Sequence, residues 1–137
     1  MSTRERLLQC LRSERGHWVS GQDLSRELSI TRSAVWKHVR KLQGGGYRIS
    51  ASPRKGYRFE KAPEALFPEE IHRTIRTEVF GKRGLFHFFE LDSTNDTAWA
   101  MASRGAPEGT LVVSESQARG KGRKGRGWFS PPKDGIY

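Results

Sequence analysis

The densest chemistry in the sequence lies at Gly120-Lys121-Gly122-Arg123-Lys124-Gly125-Arg126, where three glycines and four cations share seven residues. Glycines let a backbone approach a ligand closely and present its N–H groups, and cations add Coulomb attraction, so the combination suits a phosphate or carboxylate. The letters also satisfy G-x-G-x-x-G. That fingerprint needs a helix opening at the motif, and the following Gly127-Trp128-Phe129-Ser130-Pro131-Pro132 does not supply one. A phosphate-loop reading fails because Gly125 is followed by Arg126 and Gly127 in place of Lys and Ser or Thr. A solvated basic loop fits the same letters.

A second set of chemical groups is Arg32, Ser33, Trp36, Lys37 and Arg40, whose spacing puts them on the outward side of one helix. Residues 1–60 hold thirteen Lys/Arg against five Asp/Glu, a net of +8, whereas the remainder carries twelve against ten. The first segment therefore favours a polyanion. A module used only for protein contacts is the alternative. Trp36 and Trp128 read first as packing residues. Cys10, among Leu7, Leu8 and Leu11, reads as a core thiol, and a lone cysteine excludes an internal disulfide framework. The four histidines show no ligand spacing, so no metal site is expected. With no long apolar run and no signal-peptide pattern at the start, the chain is expected to be cytoplasmic, with no membrane partner.

These groups need elements to hold them. Apolar residues at 7, 8 and 11 predict a helix over 4–15 that Gly16 ends. Ser20 is placed to cap a second helix through Leu28, with Val19 as a hydrophobic staple, and a third helix over 32–42 buries Val35, Val39 and Leu42. Two helices joined by about three residues, the second with a basic outer face, form a helix-turn-helix pattern. Tyr47–Ala51 and Tyr57–Phe59 around the turn Ser52-Pro53-Arg54-Lys55-Gly56 predict a hairpin, the wing, with Arg48, Arg54 and Lys55 available to nucleic acid. The triplet Gly44-Gly45-Gly46 looks loose for ending the helix and placing that wing.

Pro63 and Pro68 mark a linker, giving a first domain over 1–62 and a second over 63–137. In the second, a helix is expected over 69–77, a strand over 85–91, a helix that Ala98 to Ser103 continues and Gly105 closes, and a strand over 110–115. Asp92-Ser93-Thr94-Asn95 falls at a strand-to-helix corner, where the same residues serve equally as a helix N-cap. The fold class is α+β.

Thr31–Val39 together with Lys55-Gly56-Tyr57-Arg58, then Asp92–Asn95, Glu115-Ser116-Gln117, Gly120–Trp128 and Ser130-Pro131, resemble the bifunctional biotin protein ligase and biotin operon repressor family. The likeness runs over nearly the whole chain and implies a winged helix-turn-helix domain followed by the truncated start of a mixed-sheet, class II synthetase-like biotin ligase domain. It implies that Ser93, Thr94, Asn95 and Gln117, with Gly120, Gly122 and Arg123, hold biotin. Lys121, Arg123, Lys124, Gly125, Arg126 and Trp128 would form the loop over the adenylate. Biotin and ATP would be substrates, with Mg2+ accompanying ATP, and biotinyl-5′-AMP would be intermediate and corepressor. The implied partners are operator DNA, the biotin carboxyl carrier protein of acetyl-CoA carboxylase, and a second copy in a homodimer of the full-length protein. The family's downstream lysine-bearing motif and small C-terminal domain lie past Tyr137, so this length alone is expected not to complete ligation. A winged helix regulator that senses a small anion without catalysis is the competing reading.

Overall fold

Ser2 opens the first helix, α1 (Thr3–Ser13), with a reciprocal capping box: its hydroxyl accepts from the Glu5 amide, and the Glu5 carboxylate accepts from the Ser2 N–H. Ser20 and Thr31 cap α2 (Gly21–Leu28) and α3 (Arg32–Gly44) through their hydroxyls, without the reciprocal bond, accepting from the amides of Asp23 at 3.0 Å and Ala34 at 3.2 Å. The computed structural model describes residues 1–137, which divide into the units Met1–Pro63 and Glu64–Tyr137.

The core of the first unit is the meeting of the three predicted apolar stripes. Leu7, Leu8 and Leu11 of α1, Leu24 and Leu28 of α2, and Val35, Val39 and Leu42 of α3 are all buried. Each such side chain stabilises the fold by roughly 1.5–3 kcal/mol on leaving water. Cys10 sits beside this core, only part-buried, and burial followed by the charge of Glu27 pushes its thiol pKa up.

The expectation of a loose end to α3 is overturned. Gly46, at φ +88, lets its own N–H reach the Gln43 carbonyl at 3.0 Å and the Tyr47 N–H reach the Leu42 carbonyl at 3.1 Å. This is a complete helix stop of the Schellman type, with Tyr47 buried near Leu42. Gly46 is what makes it possible, because the turn needs a left-handed residue. Gln43 Nε2 then donates to the Ile49 carbonyl at 2.7 Å, tying the helix end to the first wing strand.

The wing is the antiparallel pair β1 (Arg48–Ser52) and β2 (Gly56–Lys61). Val19, expected as a staple, does something else through its backbone. It exchanges two hydrogen bonds of 2.8 Å with Tyr57, fastening the hairpin to the segment before α2. Gly56 is required here: it has φ +93, and a Cβ would stand 2.0 Å from the Val19 carbonyl oxygen.

In the second unit α4 (Pro68–Thr74) is shorter than the 69–77 expected, because Ile75 turns extended. The strand β3 (Leu85–Phe88) runs parallel to β4 (Leu111–Ser114), with α5 (Thr94–Ser103) between them in sequence. The corner residue Ser93 caps α5, as the N-cap reading of this segment allowed, and Ala98 to Ser103 continue the helix that it opens. Gly105, at φ +85, closes it as anticipated, with the Ala106 N–H on the Met101 carbonyl. Beyond β4, β5 (Gln117–Lys121) and β6 (Gly127–Ser130) form an antiparallel pair, and Leu91 bridges to Gln117 in parallel. The basic loop is thus a hairpin turn, with Gly120 and Lys121 in its first strand. Small sheets and helices give the α+β class. No residue of α5 is buried, and Phe89, Trp99 and Phe129 are largely exposed. No helix is long and apolar enough to cross a membrane.

Candidate functional site

Gln117 is the hub of a polar cluster in the second unit. Its Oε1 accepts from the Thr94 amide at 2.8 Å and from the Thr94 hydroxyl at 3.1 Å, while its Nε2 donates to Ser130 Oγ at 2.9 Å. The side-chain amide is therefore oriented, and one Nε2 hydrogen stays available. Ser93 is almost fully buried and its hydroxyl caps α5 through the Asp96 amide, so it serves the helix start as much as any ligand. Asn95 is exposed on the first turn of α5. Of the residues expected at the biotin end, Ser93, Thr94, Gln117 and Gly120 come together, with Asn95 at their margin.

Ser130 completes the cluster, and Gly120 makes room for it. Ser130, 3% exposed, receives the Gln117 bond and donates to the Trp128 carbonyl at 3.3 Å. Gly120 leaves the room: a Cβ there would lie 2.5 Å from Trp128 O and 2.8 Å from Ser130 Oγ. Ser130 was legible as part of a motif, but its role depends on the strand pairing of β5 with β6, which pattern alone does not give.

The cations of the turn divide into committed and free. Lys121 Nζ lies 2.8 Å from Asp96 on α5, and Arg119 is ion-paired with Asp92, so both hold the hairpin against the helix start. The Arg119 bond also keeps the Asp92 carboxyl below its ordinary pKa. Arg123, Lys124 and Arg126 are exposed and make no ion pair. The turn itself is closed by the Gly122 N–H on the Arg126 carbonyl at 2.7 Å, with Lys124 at φ 57 and Gly125 at φ 72. Three uncommitted cations thus stand on a tight turn, a local excess of positive charge suited to an anion. Trp128 is 61% exposed, so the packing reading of this residue is wrong.

In the first unit Arg32, Ser33, Trp36, Lys37 and Arg40 share the exposed side of α3, as the spacing predicts. A groove of about 650 Å3 runs between this helix, the start of α2 and the wing, with Arg32, Ser33, Trp36, Arg54 and Tyr57 among its walls. Burial raises the Tyr57 hydroxyl pKa while Arg32 opposes the rise, so the groove wall carries a neutral phenol beside a cation. Trp36 is 54% exposed, which corrects its packing assignment too. Arg54 and Lys55 occupy the wing tip, but Arg48 lies at the hairpin base, paired in register with Lys61, and does not join them. Trp18, which sequence reading passed over, stiffens the wing: the Arg58 guanidinium lies 5.0 Å and the Lys55 ammonium 5.9 Å from its ring centre.

A separate part-buried pair belongs to neither site. His87 Nε2 lies 2.7 Å from Glu115 Oε1, which also accepts the Leu66 N–H at 2.7 Å. Phe67 and Phe89 pack against the His87 ring at 4.9 and 5.2 Å. No group of three or more His, Cys, Asp or Glu stands together to hold a metal ion, so no residue is assigned to one.

Residues 3–58 match the family model for an HTH domain. The chain is 40% identical over 134 residues to the bifunctional ligase/repressor BirA of Bacillus subtilis, covering 98% of this chain and 41% of that protein. It is 30% identical over 122 residues to the protein of the same name from Salmonella typhimurium, and 29% identical over 125 residues to that of Escherichia coli. The chain thus spans about two fifths of the length of the curated relatives it matches.

Proposed function

Starting from a chain that carries an HTH domain and aligns along nearly all its length with bifunctional ligase/repressors, we propose that it is the operator-reading and biotin-pocket portion of an ATP-dependent biotin protein ligase that also represses transcription of biotin genes. The observation that carries the ligase half is the clamped Gln117 amide, set between Thr94 and Ser130 and adjoining a turn with three unpaired cations.

In this reading the free Nε2 hydrogen of Gln117, the Thr94 hydroxyl, and Ser93 and Asn95 meet the polar ureido end of biotin. Gly120 and Gly122 allow the backbone to lie close to it. Arg123 faces the biotin carboxylate, with Lys124, Gly125 and Arg126 around the phosphate and Trp128 against the adenylate; Lys121 anchors the turn through Asp96. The carboxylate oxygen attacks the α-phosphorus of ATP, pyrophosphate leaves, and the amine of a carrier-protein lysine then attacks the acyl carbon and releases AMP. Two anions must approach in the first step. A guanidinium between them stabilises the encounter and the charge that develops at phosphorus. A charge-assisted bond of this kind contributes roughly 1.5–3 kcal/mol, about ten- to a hundred-fold in rate. Mg2+ would accompany ATP as its counter-ion and offset phosphate charge, with no residue of this chain assigned to hold it.

The repressor half rests on the basic exposed face of α3 and the wing tip. Arg32, Ser33, Trp36, Lys37 and Arg40 enter the major groove, and Arg54 and Lys55 meet the flanking backbone, with Arg48 a peripheral charge. Binding by phosphate contacts makes affinity fall steeply with salt. Dimerisation promoted by biotinyl-5′-AMP couples the two halves.

The test is biotin-dependent release of labelled pyrophosphate from ATP by the whole gene product, compared with its Arg123→Ala variant. Release that the variant loses by ten-fold or more supports the assignment. A folded protein that binds duplex DNA but ignores biotin in both forms leaves a winged helix regulator that senses some other anion.

A further inference from the structure

We infer that Trp36 is a specificity-determining residue which reads the 5-methyl group of thymine in the major groove; this deepens the DNA-binding reading above and rests on it. The indole stands on α3 one turn after Arg32 and beside Lys37, 54% exposed and without a ring or cation partner in its own chain. A large apolar surface left in water at this point is costly, and more than half of it stays uncovered by the first unit. Val35 and Val39, its neighbours on the helix, face the core, so Trp36 is not a misplaced core residue.

The surroundings select the occupant. Arg32, Lys37 and Arg40 flank the ring with exposed positive charge, and Arg32 and Trp36 together line the groove that opens toward Arg54 at the wing tip. An apolar protein or lipid partner would have to desolvate those cations, whereas a nucleic-acid duplex brings phosphates to meet them. Within such a duplex the major groove offers one apolar feature, the thymine methyl, which apolar side chains contact directly. An indole cannot accept a hydrogen bond and carries a single N–H, so it discriminates thymine from cytosine by shape and desolvation.

The experiment uses the whole gene product, with biotin and ATP present, and a duplex that it selects from a random pool. Each thymine of that duplex is replaced in turn by uracil, which deletes only the methyl, and then by 5-bromouracil, which restores a group of similar size. One or two positions should weaken binding about four-fold per methyl lost, recover with bromine, and become indifferent in Trp36→Ala. Lys37→Ala should weaken thymine and uracil duplexes alike. Circular dichroism checks that Trp36→Ala keeps its fold, as an exposed side chain should. Specific binding that ignores uracil at every position overturns the inference and leaves the DNA-binding reading standing. Failure to select any sequence above the salt-sensitive background overturns both.

Discussion

Alanine at Gly120 is expected to dismantle the polar cluster, while the same change elsewhere in the turn is not. A Cβ at Gly120 would lie 2.5 Å from Trp128 O, 2.8 Å from Ser130 Oγ and 3.1 Å from Gln117 Nε2. The first contact is backbone and cannot swing aside, so β5 and β6 must part and the Gln117–Ser130 bond goes with them. Overpacking costs about 1–3 kcal/mol and the lost hydrogen bond about 1 more, so the second unit should lose about 2–4 kcal/mol. Gly125 meets nothing within 4 Å but has φ +72, so alanine there should cost only the left-handed conformation, roughly 1–2 kcal/mol. At Gly122 the nearest atoms are 3.4 and 3.6 Å away, and at Gly127 there is open space, so both should stay within ~0.5 kcal/mol of the parent. Amide hydrogen exchange at Gly122, whose N–H closes the turn on Arg126, reads the four variants on one scale. A Gly120→Ala protein as protected as the parent, or a Gly127→Ala protein as damaged as Gly120→Ala, would refute the steric reasoning.

Three further outcomes are expected. Gly56→Ala should unseat the wing from Val19, because its Cβ would fall 2.0 Å from the Val19 carbonyl oxygen; hydrogen exchange at Tyr57 should rise and DNA affinity should fall, with the helices intact by circular dichroism. The Asp92 carboxyl, held below its ordinary value by Arg119, should contribute stability that is complete above the usual carboxylate range and lost as pH falls through the depressed value; a carboxyl carbon NMR titration should show Arg119→Ala returning Asp92 to ordinary behaviour. Glu115→Ala should free Leu66 and His87 from their shared oxygen, costing about 2–3 kcal/mol in this part-buried network, and tryptic cleavage after Lys61 should quicken.

How far the sequence reached depends on whether a feature is local. The three helices of the first unit follow from apolar residues three and four apart and, for the second, from the cap at Ser20, all carried by neighbours in the chain. The exposed basic side of α3 follows from the same periodicity. In the second unit, element ends were less legible: the cap of α5 at Ser93 could be read from the corner residues, but α4 stops at Thr74 because Ile75 turns extended, which no residue type nearby announces. The members of the polar cluster were readable, but not their bonding, since Thr94, Gln117 and Ser130 meet only through strand pairing. Arg48 was read with Arg54 and Lys55 as a charge of the wing, and charge alone does not tell that it occupies the hairpin base while they occupy the tip. Trp36 and Trp128 were misjudged because large aromatic residues are usually buried, a tendency that binding surfaces break.

The two hydrogen bonds between Val19 and Tyr57 also bear on the order in which the first unit assembles. Each helix forms from near neighbours, and the hairpin closes over a short turn, but this fastening joins positions far apart in the chain and must wait until the segment between them has folded. Seating of the wing is therefore a late event in folding and an early one in unfolding. Changes at Gly56 should leave the folding rate nearly untouched and act on the rate of escape from the native state. The element that reaches toward nucleic acid would then open locally, on its own timescale, while the helical core beneath it stays closed.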